Sequence, residues 1–325
     1  MDKMDKMDQR VFQISNEEDF SQLALEIFRF QSKNNPVYRE FVQRLNQPTP
    51  TKIQEIPFLP ISFFKSHQVR CYTNQAPIIF KSSGTVGIRS THYVEEPKIY
   101  ESSFEKTYRA QVGEPENQII LALLPNYIEQ GESSLVYMVE ALIRQTNHPL
   151  SGFYLNDPVK IIDIYNQAKS TRKKIILFGV SYALLDLADY QPDLSEALII
   201  ETGGMKGRRK ELTKEELHQI LKSKFNVAYI SSEYGMTELL SQAYSDSEGL
   251  FTPPKWMKVL IRETNDPFAY ALEGKTGGIN IIDLANLNSC SFIATQDLGK
   301  IIDSKLQLMG RFDNSDIRGC NLLVE

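Results

Sequence analysis

Between residues 118 and 231 short apolar runs alternate with stretches of helical periodicity, and no other feature of the 325-residue sequence constrains its fold as strongly. Ile119 to Leu124, Lys174 to Val180, Ala197 to Ile200 and Val227 to Ile230 read as strands. Leu135, Met138, Val139, Leu142 and Ile143 mark one intervening helix and Ser181 to Asp189 a second. Thr213 to Phe225 reads as a third, opened by Thr213 and Glu216 at capping-box spacing. Strands joined by helices favour a parallel or mixed sheet covered by helices, an α/β fold.

The flanks have a different character. Ser15 and Glu18 have capping spacing, and Phe20, Leu23, Ala24, Ile27 and Phe28 follow at helical intervals, which predicts a helix from Asn16 to Pro36. Tyr100, Phe104 and Tyr108 fall at the same spacing and are read as core. A proline-punctuated stretch, Pro48 to Pro60, precedes the strand-like Pro77 to Phe80. Beyond residue 250 short strands are predicted at Trp256 to Ile261, Gly278 to Leu284 and Ser291 to Thr295, separated by turns at Asn265-Asp266-Pro267 and Gly274-Lys275-Thr276-Gly277. The expected organisation is one large domain over residues 1–325. It comprises a helical segment (1–50), an α/β core (50–250), a β-rich part (251–309) and a hinge-like tail (310–325).

Charge and composition remove several classes of function. With 36 basic and 41 acidic side chains the net charge is −5, and no basic stripe is present to neutralise a phosphate backbone, so a nucleic-acid partner is not expected. Apolar runs are far shorter than the roughly 20 residues of a bilayer span. The charged N-terminal segment lacks the apolar stretch of a signal peptide, so a cytoplasmic location is expected. Cys71, Cys290 and Cys320 are too scattered for a disulfide framework or zinc site, and His67, His92, His148 and His218 show no metal spacing, so all four histidines are read as surface or structural.

Five segments carry chemistry-bearing patterns. Ser82-Ser83-Gly84-Thr85-Val86-Gly87 follows a predicted strand and offers hydroxyl and backbone donors to a polyphosphate. It is neither a Walker A loop nor a Rossmann fingerprint, and taken alone it fits an ordinary polar turn as well. Glu201-Thr202-Gly203-Gly204-Met205 closes a predicted strand, where open α/β sheets bind ligands. Ser232-Glu233-Tyr234-Gly235-Met236-Thr237-Glu238 offers an aromatic face, a hydroxyl and a carboxylate suited to a base, a phosphate and Mg²⁺. Gln296-Asp297-Leu298-Gly299 places a carboxylate to accept from ribose hydroxyls, or forms an Asp-containing turn. Gly310-Arg311-Phe312-Asp313, continuing to Arg318-Gly319, combines guanidinium and carboxylate groups, or forms a solvated hairpin turn.

In this order the five segments resemble the successive core motifs of the adenylate-forming enzymes, the acyl-CoA ligases, adenylation domains and luciferases. Ile56-Pro57-Phe58-Leu59-Pro60, Ser133 to Met138, Glu201 to Arg208 and Arg318-Gly319-Cys320 resemble more closely the acyl-protein synthetase family, the fatty-acid-activating component of the bacterial bioluminescence fatty acid reductase. The resemblance implies the large-domain fold of those enzymes, with mixed sheets and a β-rich C-terminal part; as a departure from their pattern, the sequence stops where a typical ligase begins its lid domain, so a lid is expected to be absent. It also implies use of ATP and Mg²⁺. Ser82, Ser83, Gly84, Thr85 and Gly87 would cradle the β- and γ-phosphates, and Gly203 and Gly204 would lie against adenine. Tyr234 would stack on its other face within the run that includes Gly235 and Met236. Thr237 would contact the α-phosphate, Glu238 hold Mg²⁺, Asp297 take the ribose hydroxyls and Arg311 reach ribose or phosphate. In the phosphate loop Arg89 stands where a lysine is common.

The same resemblance implies activation of a fatty acid to acyl-AMP, capture as a thioester on Cys320, and delivery to an acyl reductase protein. Cys290 is the weaker candidate carrier and Cys71 is read as structural. Two other readings stay open: an aryl- or acyl-CoA ligase of the phenylacetate type using free CoA, and a nucleotide-binding regulator without turnover.

Overall fold

A computed structural model describes residues 5–83, 88–124, 131–155, 157–203 and 212–312. The chain forms two compact units, one of residues Ala76–Phe251 and one assembled from Met1–Gln75 and Thr252–Glu325.

The Ala76–Phe251 unit holds a six-stranded sheet in the order Gly152–Phe153, Gln118–Leu123, Lys174–Gly179, Ala197–Glu201, Ser231–Tyr234, Ala243–Tyr244. The first five strands are parallel and the last is antiparallel. Every residue of Gln118–Leu123 is buried, as expected of a parallel strand covered on both faces. The connecting helices include Ser134–Thr146, Pro158–Lys169, Ser181–Ala188 and Lys214–Phe225. Lys214–Phe225 starts with the capping box expected of it, Thr213 accepting from the Glu216 amide while Glu216 reaches back to Thr213. In the helix Pro97–Gln111, Tyr100, Phe104 and Tyr108 are buried on one face, as their spacing predicts. A two-stranded ribbon, Ile78–Lys81 against Thr91–Val94, completes the unit.

One strand lies four residues beyond its predicted position. Val227 to Ile230 is not a strand; the chain pairs at Ser231–Tyr234. Polar Ser231 and Ser232 are buried there because each hydroxyl has a partner, Ser231 donating to the Ser245 carbonyl at 2.7 Å and Ser232 to the Glu201 carboxylate at 3.1 Å. A hydrophobicity pattern does not register such a strand.

In the other unit a mixed sheet runs Leu59–Pro60, Phe292–Ile302, Gly277–Asp283, Met257–Arg262, with Lys305–Arg311 also paired to Phe292–Ile302. Leu59–Pro60 is parallel to its neighbour and the remaining pairs are antiparallel. The first long helix is Glu17–Asn34, capped by Asn16 accepting from the Asp19 amide at 2.9 Å, one residue later than the spacing suggested. Pro36 does not end that helix. It opens a second one, Pro36–Leu45, capped by Asn35, because proline needs no amide partner in a first turn. Phe28, Tyr38 and Phe292 form an aromatic cluster. Beside it the buried Gln31 amide donates to the carbonyls of Asn286 and Leu287, at 3.1 and 2.8 Å.

No described helix is long and apolar enough to cross a membrane.

Candidate functional site

Within the Ala76–Phe251 unit, the serine-rich loop is pinched at its base. The Ser82 amide donates to the Ser90 carbonyl and the Ser90 amide to the Ser82 hydroxyl, both at 3.0 Å. Ser82 therefore closes the loop, and Ser83 is the exposed hydroxyl next to it. Arg89 is committed to the same closure: its guanidinium donates to the carbonyls of Ser82 and Lys81 and lies 3.3 Å from Glu132, which also pairs with Lys81. Gly84, Thr85 and Gly87 lie outside the described residues.

The ribbon that carries this loop is tied to the second predicted segment. His92, on its return strand, is fully buried, and its Nδ1 lies 2.7 Å from the Thr237 carbonyl oxygen. A neutral imidazole donates to that oxygen from Nδ1. Sequence reasoning assigned His92 no more than a structural role; its side chain fixes the turn that carries Thr237 and Glu238. Glu238 is buried and Thr237 half-buried. Tyr234 is buried with its ring edge-on to Phe251, centroids 5.8 Å apart. Gly235 is exposed and Met236 half-buried.

At the end of the Ala197–Glu201 strand, a side chain added at Gly203 would meet nothing within 4 Å among the described residues. Next to it the Thr202 hydroxyl is buried and has no hydrogen-bond partner among them. Gly204 lies outside the described residues.

Glu201 opens the second motif segment, but the sequence gives it no role of its own. Its carboxylate is buried and accepts from the Ser181 hydroxyl at 2.5 Å and the Ser232 hydroxyl at 3.1 Å, with the Lys214 ammonium at 3.6 Å and His218 Nε2 at 3.8 Å. Burial by itself pushes this carboxyl up, and the bond to His218, the Lys214 charge and the Ser181 bond outweigh it and bring it down to about 2. Glu233, on the same sheet, behaves oppositely. Burial first, then repulsion from Glu201, pushes it up to about 7. Only the resulting three-dimensional pairing reveals these acids, since neither has a partner at recognisable spacing in sequence.

In the other unit Asp297 and Arg311 are directly opposed across two antiparallel strands, and Arg311 Nε lies 3.1 Å from Asp297 Oδ1. Gln296-Asp297-Leu298-Gly299 is not the turn that was the alternative reading. It lies inside the eleven-residue strand Phe292–Ile302, whose register shifts at Leu298/Gly299. Gly310-Arg311 is likewise strand, and the hairpin turn falls at Asp303 and Ser304, both left-handed. Arg262, also absent from the sequence reading, donates to the Ile279 and Thr295 carbonyls, each at 2.7 Å, and stacks on Phe312 at 5.6 Å. The Phe312 amide in turn donates to the Gln296 carbonyl, next to Asp297.

Two of the three thiols are described. Cys290 is fully buried and burial pushes its thiol up to about 12. Cys71 is half-buried, with Sγ 3.6 Å from the Ser289 carbonyl. Cys320, with Arg318 and Gly319, lies outside the described residues. No group of three or more His, Cys, Asp or Glu side chains converges to hold a metal among the described residues.

No family model matches this sequence, and no curated protein matches it. Its three-dimensional structure does have close neighbours. A 2-hydroxyisobutyryl-CoA ligase in complex with 2-HIB-AMP and CoA, in the thioesterification state, superposes with a TM-score of 0.68 and 10% identity over 97% of this chain and 70% of that one. An open conformation of that ligase gives 0.67 and 8% identity over 91% and 71%. ATP-bound MatB from Rhodopseudomonas palustris gives 0.54 and 18% identity over 74% of this chain, which spans about half (49%) of that protein. At such identities the shared property is the fold, so this chain has the α/β large-domain fold, with mixed sheets, of the adenylate-forming acyl-CoA ligases.

Proposed function

We propose that this protein activates a carboxylic acid with ATP, forming an acyl-adenylate and pyrophosphate, and then passes the acyl group to a cysteine thiol, Cys320, from which an acyl reductase collects it. The observation that carries the first half is the His92–Thr237 contact, which couples the hydroxyl-rich loop to the Tyr234–Glu238 segment within one unit. In this reading the substrate carboxylate attacks the α-phosphorus, the bond to the β-phosphate oxygen breaks, and pyrophosphate leaves. Ser83, Thr85 and the amides of Gly84 and Gly87 offset charge on the β- and γ-phosphates, with Ser82 closing their loop, and Thr237 meets the α-phosphate. Adenine lies along Gly203 and Gly204 against Tyr234, with Gly235 and Met236 continuing that wall. Asp297 accepts from the ribose hydroxyls and Arg311 holds Asp297 in place. Mg²⁺ enters on the nucleotide; the single carboxylate of Glu238 suits a metal that keeps phosphate and water ligands.

Cys320 is favoured over Cys290 as carrier by the state of the Cys290 thiol. Attack on the acyl carbonyl, with loss of AMP, needs a thiolate, which burial denies to Cys290. The acid is read as a fatty acid on the resemblance of the sequence to acyl-protein synthetases. Carboxylate-dependent exchange of labelled pyrophosphate into ATP tests the first half. A hydroxylamine-labile acyl label that wild type acquires and Cys320→Ser does not tests the second. Rapid AMP release on adding CoA, with the protein unlabelled, would instead assign a CoA ligase, and no exchange with any acid would leave a nucleotide-binding protein.

A further inference from the structure

The contacts around the buried carboxylate of Glu201 close into a ring. The Ser232 hydroxyl donates to Glu201 at 3.1 Å, and the Ser232 amide donates to the Ser245 hydroxyl at 2.8 Å. Ser245 in turn pairs antiparallel with Phe251 across a short turn. The Lys214 ammonium lies over the Phe251 ring, 5.1 Å from its centroid, and returns to Glu201 at 3.6 Å. Of these five residues only Lys214 is helical, the first residue of Lys214–Phe225.

Two features set Lys214 apart from an ordinary surface lysine. A cation in the first turn opposes the helix dipole, which favours the acids Glu215 and Glu216 that follow it. Its ammonium is held instead by an aromatic face and by a carboxylate whose side chain is only 3% exposed, where salt screens the attraction less than on the open surface. Glu201 does not depend on this lysine for its hydrogen bonds, since the Ser181 hydroxyl donates to it at 2.5 Å besides that of Ser232, and His218 Nε2 lies at 3.8 Å. Lys214 is therefore additional to what satisfies the buried acid.

The ring also reaches both groups against which adenine is proposed to lie. Glu201 is followed directly by Thr202 and Gly203 at the end of its strand. Phe251 meets the Tyr234 ring edge-on at 5.8 Å. A continuous path of contacts thus runs from Glu201 to Lys214, from Lys214 to Phe251 and from Phe251 to Tyr234, with the lysine as its first link between the two strands.

We infer that Lys214 is a positioning residue for the nucleotide base. Through Glu201 it holds the strand end that carries Gly203, and through Phe251 it holds the Tyr234 ring, so that both stand at a set separation before ATP arrives. The lysine touches no reacting atom; its effect falls on binding of the base. This inference rests on the nucleotide-binding part of the adenylation reading and deepens it.

The test is pyrophosphate exchange by the full-length protein with ATP and the acid varied separately. Lys214→Met keeps the aliphatic stem and removes the charge. It should raise the KM for ATP about fivefold and leave kcat and the KM for the acid within about twofold. Lys214→Arg, a cation that can still pair with Glu201 and stack on Phe251, should restore most of the loss. Phe251→Leu cuts the same path one link further on and should give a comparable rise, and in the double variant the two effects should not multiply. If Phe251→Leu does not fold, the methionine and arginine variants decide alone. An unchanged KM for ATP in Lys214→Met, equal rises for both substrates, no rescue by arginine, or fully multiplicative effects would each overturn the inference while leaving adenylation standing. Titration calorimetry with ATP and Mg²⁺, without any acid, reads the same fivefold difference as a Kd. If no acid supports exchange, the adenylation reading falls and that ratio still decides the role of Lys214; if wild type binds no ATP, both fall together.

Discussion

The Nδ1 of His92 and the carbonyl oxygen of Thr237 are 2.7 Å apart although 145 residues separate them in sequence. One buried imidazole thereby links the ribbon carrying the serine-rich loop to the turn that positions Thr237 and Glu238. Replacing it with alanine removes the donor and opens a cavity in a fully buried position. His92→Ala is expected to lose about 2 to 3 kcal/mol in denaturant unfolding and to raise the KM for ATP in pyrophosphate exchange. A variant of unchanged stability and unchanged KM would show that the contact couples nothing.

Asp297 and Arg311 make a second cross-strand pair, and its members differ in exposure: the Asp297 side chain is 14% exposed and that of Arg311 72%. An ion pair with one exposed member adds little to stability, about 0 to 1 kcal/mol. Asp297→Ala should therefore keep its melting temperature within a few degrees and yet slow exchange about 10²-fold or more, as loss of a preorganised contact does. Arg311→Ala, which leaves the carboxylate present but unclamped, should fall between this variant and wild type. Near wild-type exchange by Asp297→Ala would remove Asp297 from the site.

Glu201 and Glu233 impose opposite pH dependences on folding. Glu201 falls from 4.5 to about 2 in the folded protein, so its contribution is complete above pH 4.5 and is lost as the pH drops from there toward 2. Glu233 rises from 4.5 to about 7, so its contribution is complete below pH 4.5 and is lost as the pH climbs through 7. Glu233→Gln should flatten the decline in thermal midpoint between pH 5 and 8, whereas Glu201→Gln should soften acid unfolding below pH 4.5. Superimposable stability profiles for either variant and wild type would contradict the corresponding assignment.

The thiols make a simpler prediction. Cys290, fully buried with its thiol pushed up to about 12, should resist iodoacetamide in the native protein and react only after unfolding. Mass spectrometry of briefly alkylated protein should find little modification at Cys290 until the protein is unfolded. Rapid native alkylation of Cys290 would return it to contention as acyl carrier.

Much of the fold was legible because its signals are local and repetitive. Ile119 to Leu124 and Lys174 to Val180 match observed strands to within a residue, and Thr213 with Glu216 marks the start of the observed helix. What escaped has one physical source, partners brought together by the fold. Ser231 and Ser232 are too polar to look like strand until Ser245 and Glu201 satisfy them. Asp297 resembled a turn residue because the strand that extends past it, paired with Lys305–Arg311, lacks a clean alternation. Among candidate site residues, those with motif spacing, such as Thr237 and Glu238, could be named from sequence. The parts played by His92 and Arg262 could not, because each acts through a neighbour remote in the chain.

The split composition of the unit assembled from Met1–Gln75 and Thr252–Glu325 has a consequence for biosynthesis. Helix Glu17–Asn34 leaves the ribosome early, but the Gln31 amide finds its acceptors in Asn286, Leu287 and Ser291, and Phe28 one of its two aromatic neighbours in Phe292. All of Ala76–Phe251 must be translated in between, a delay on the order of ten to thirty-five seconds at ordinary elongation rates. Meanwhile the face bearing Phe20, Leu23, Ile27 and Phe28 is nascent chain without its native cover. A folding helper that shelters this early amphipathic helix would raise the yield of active protein, and detaching Met1–Gln75 and supplying it in trans would impose the same wait as a bimolecular encounter.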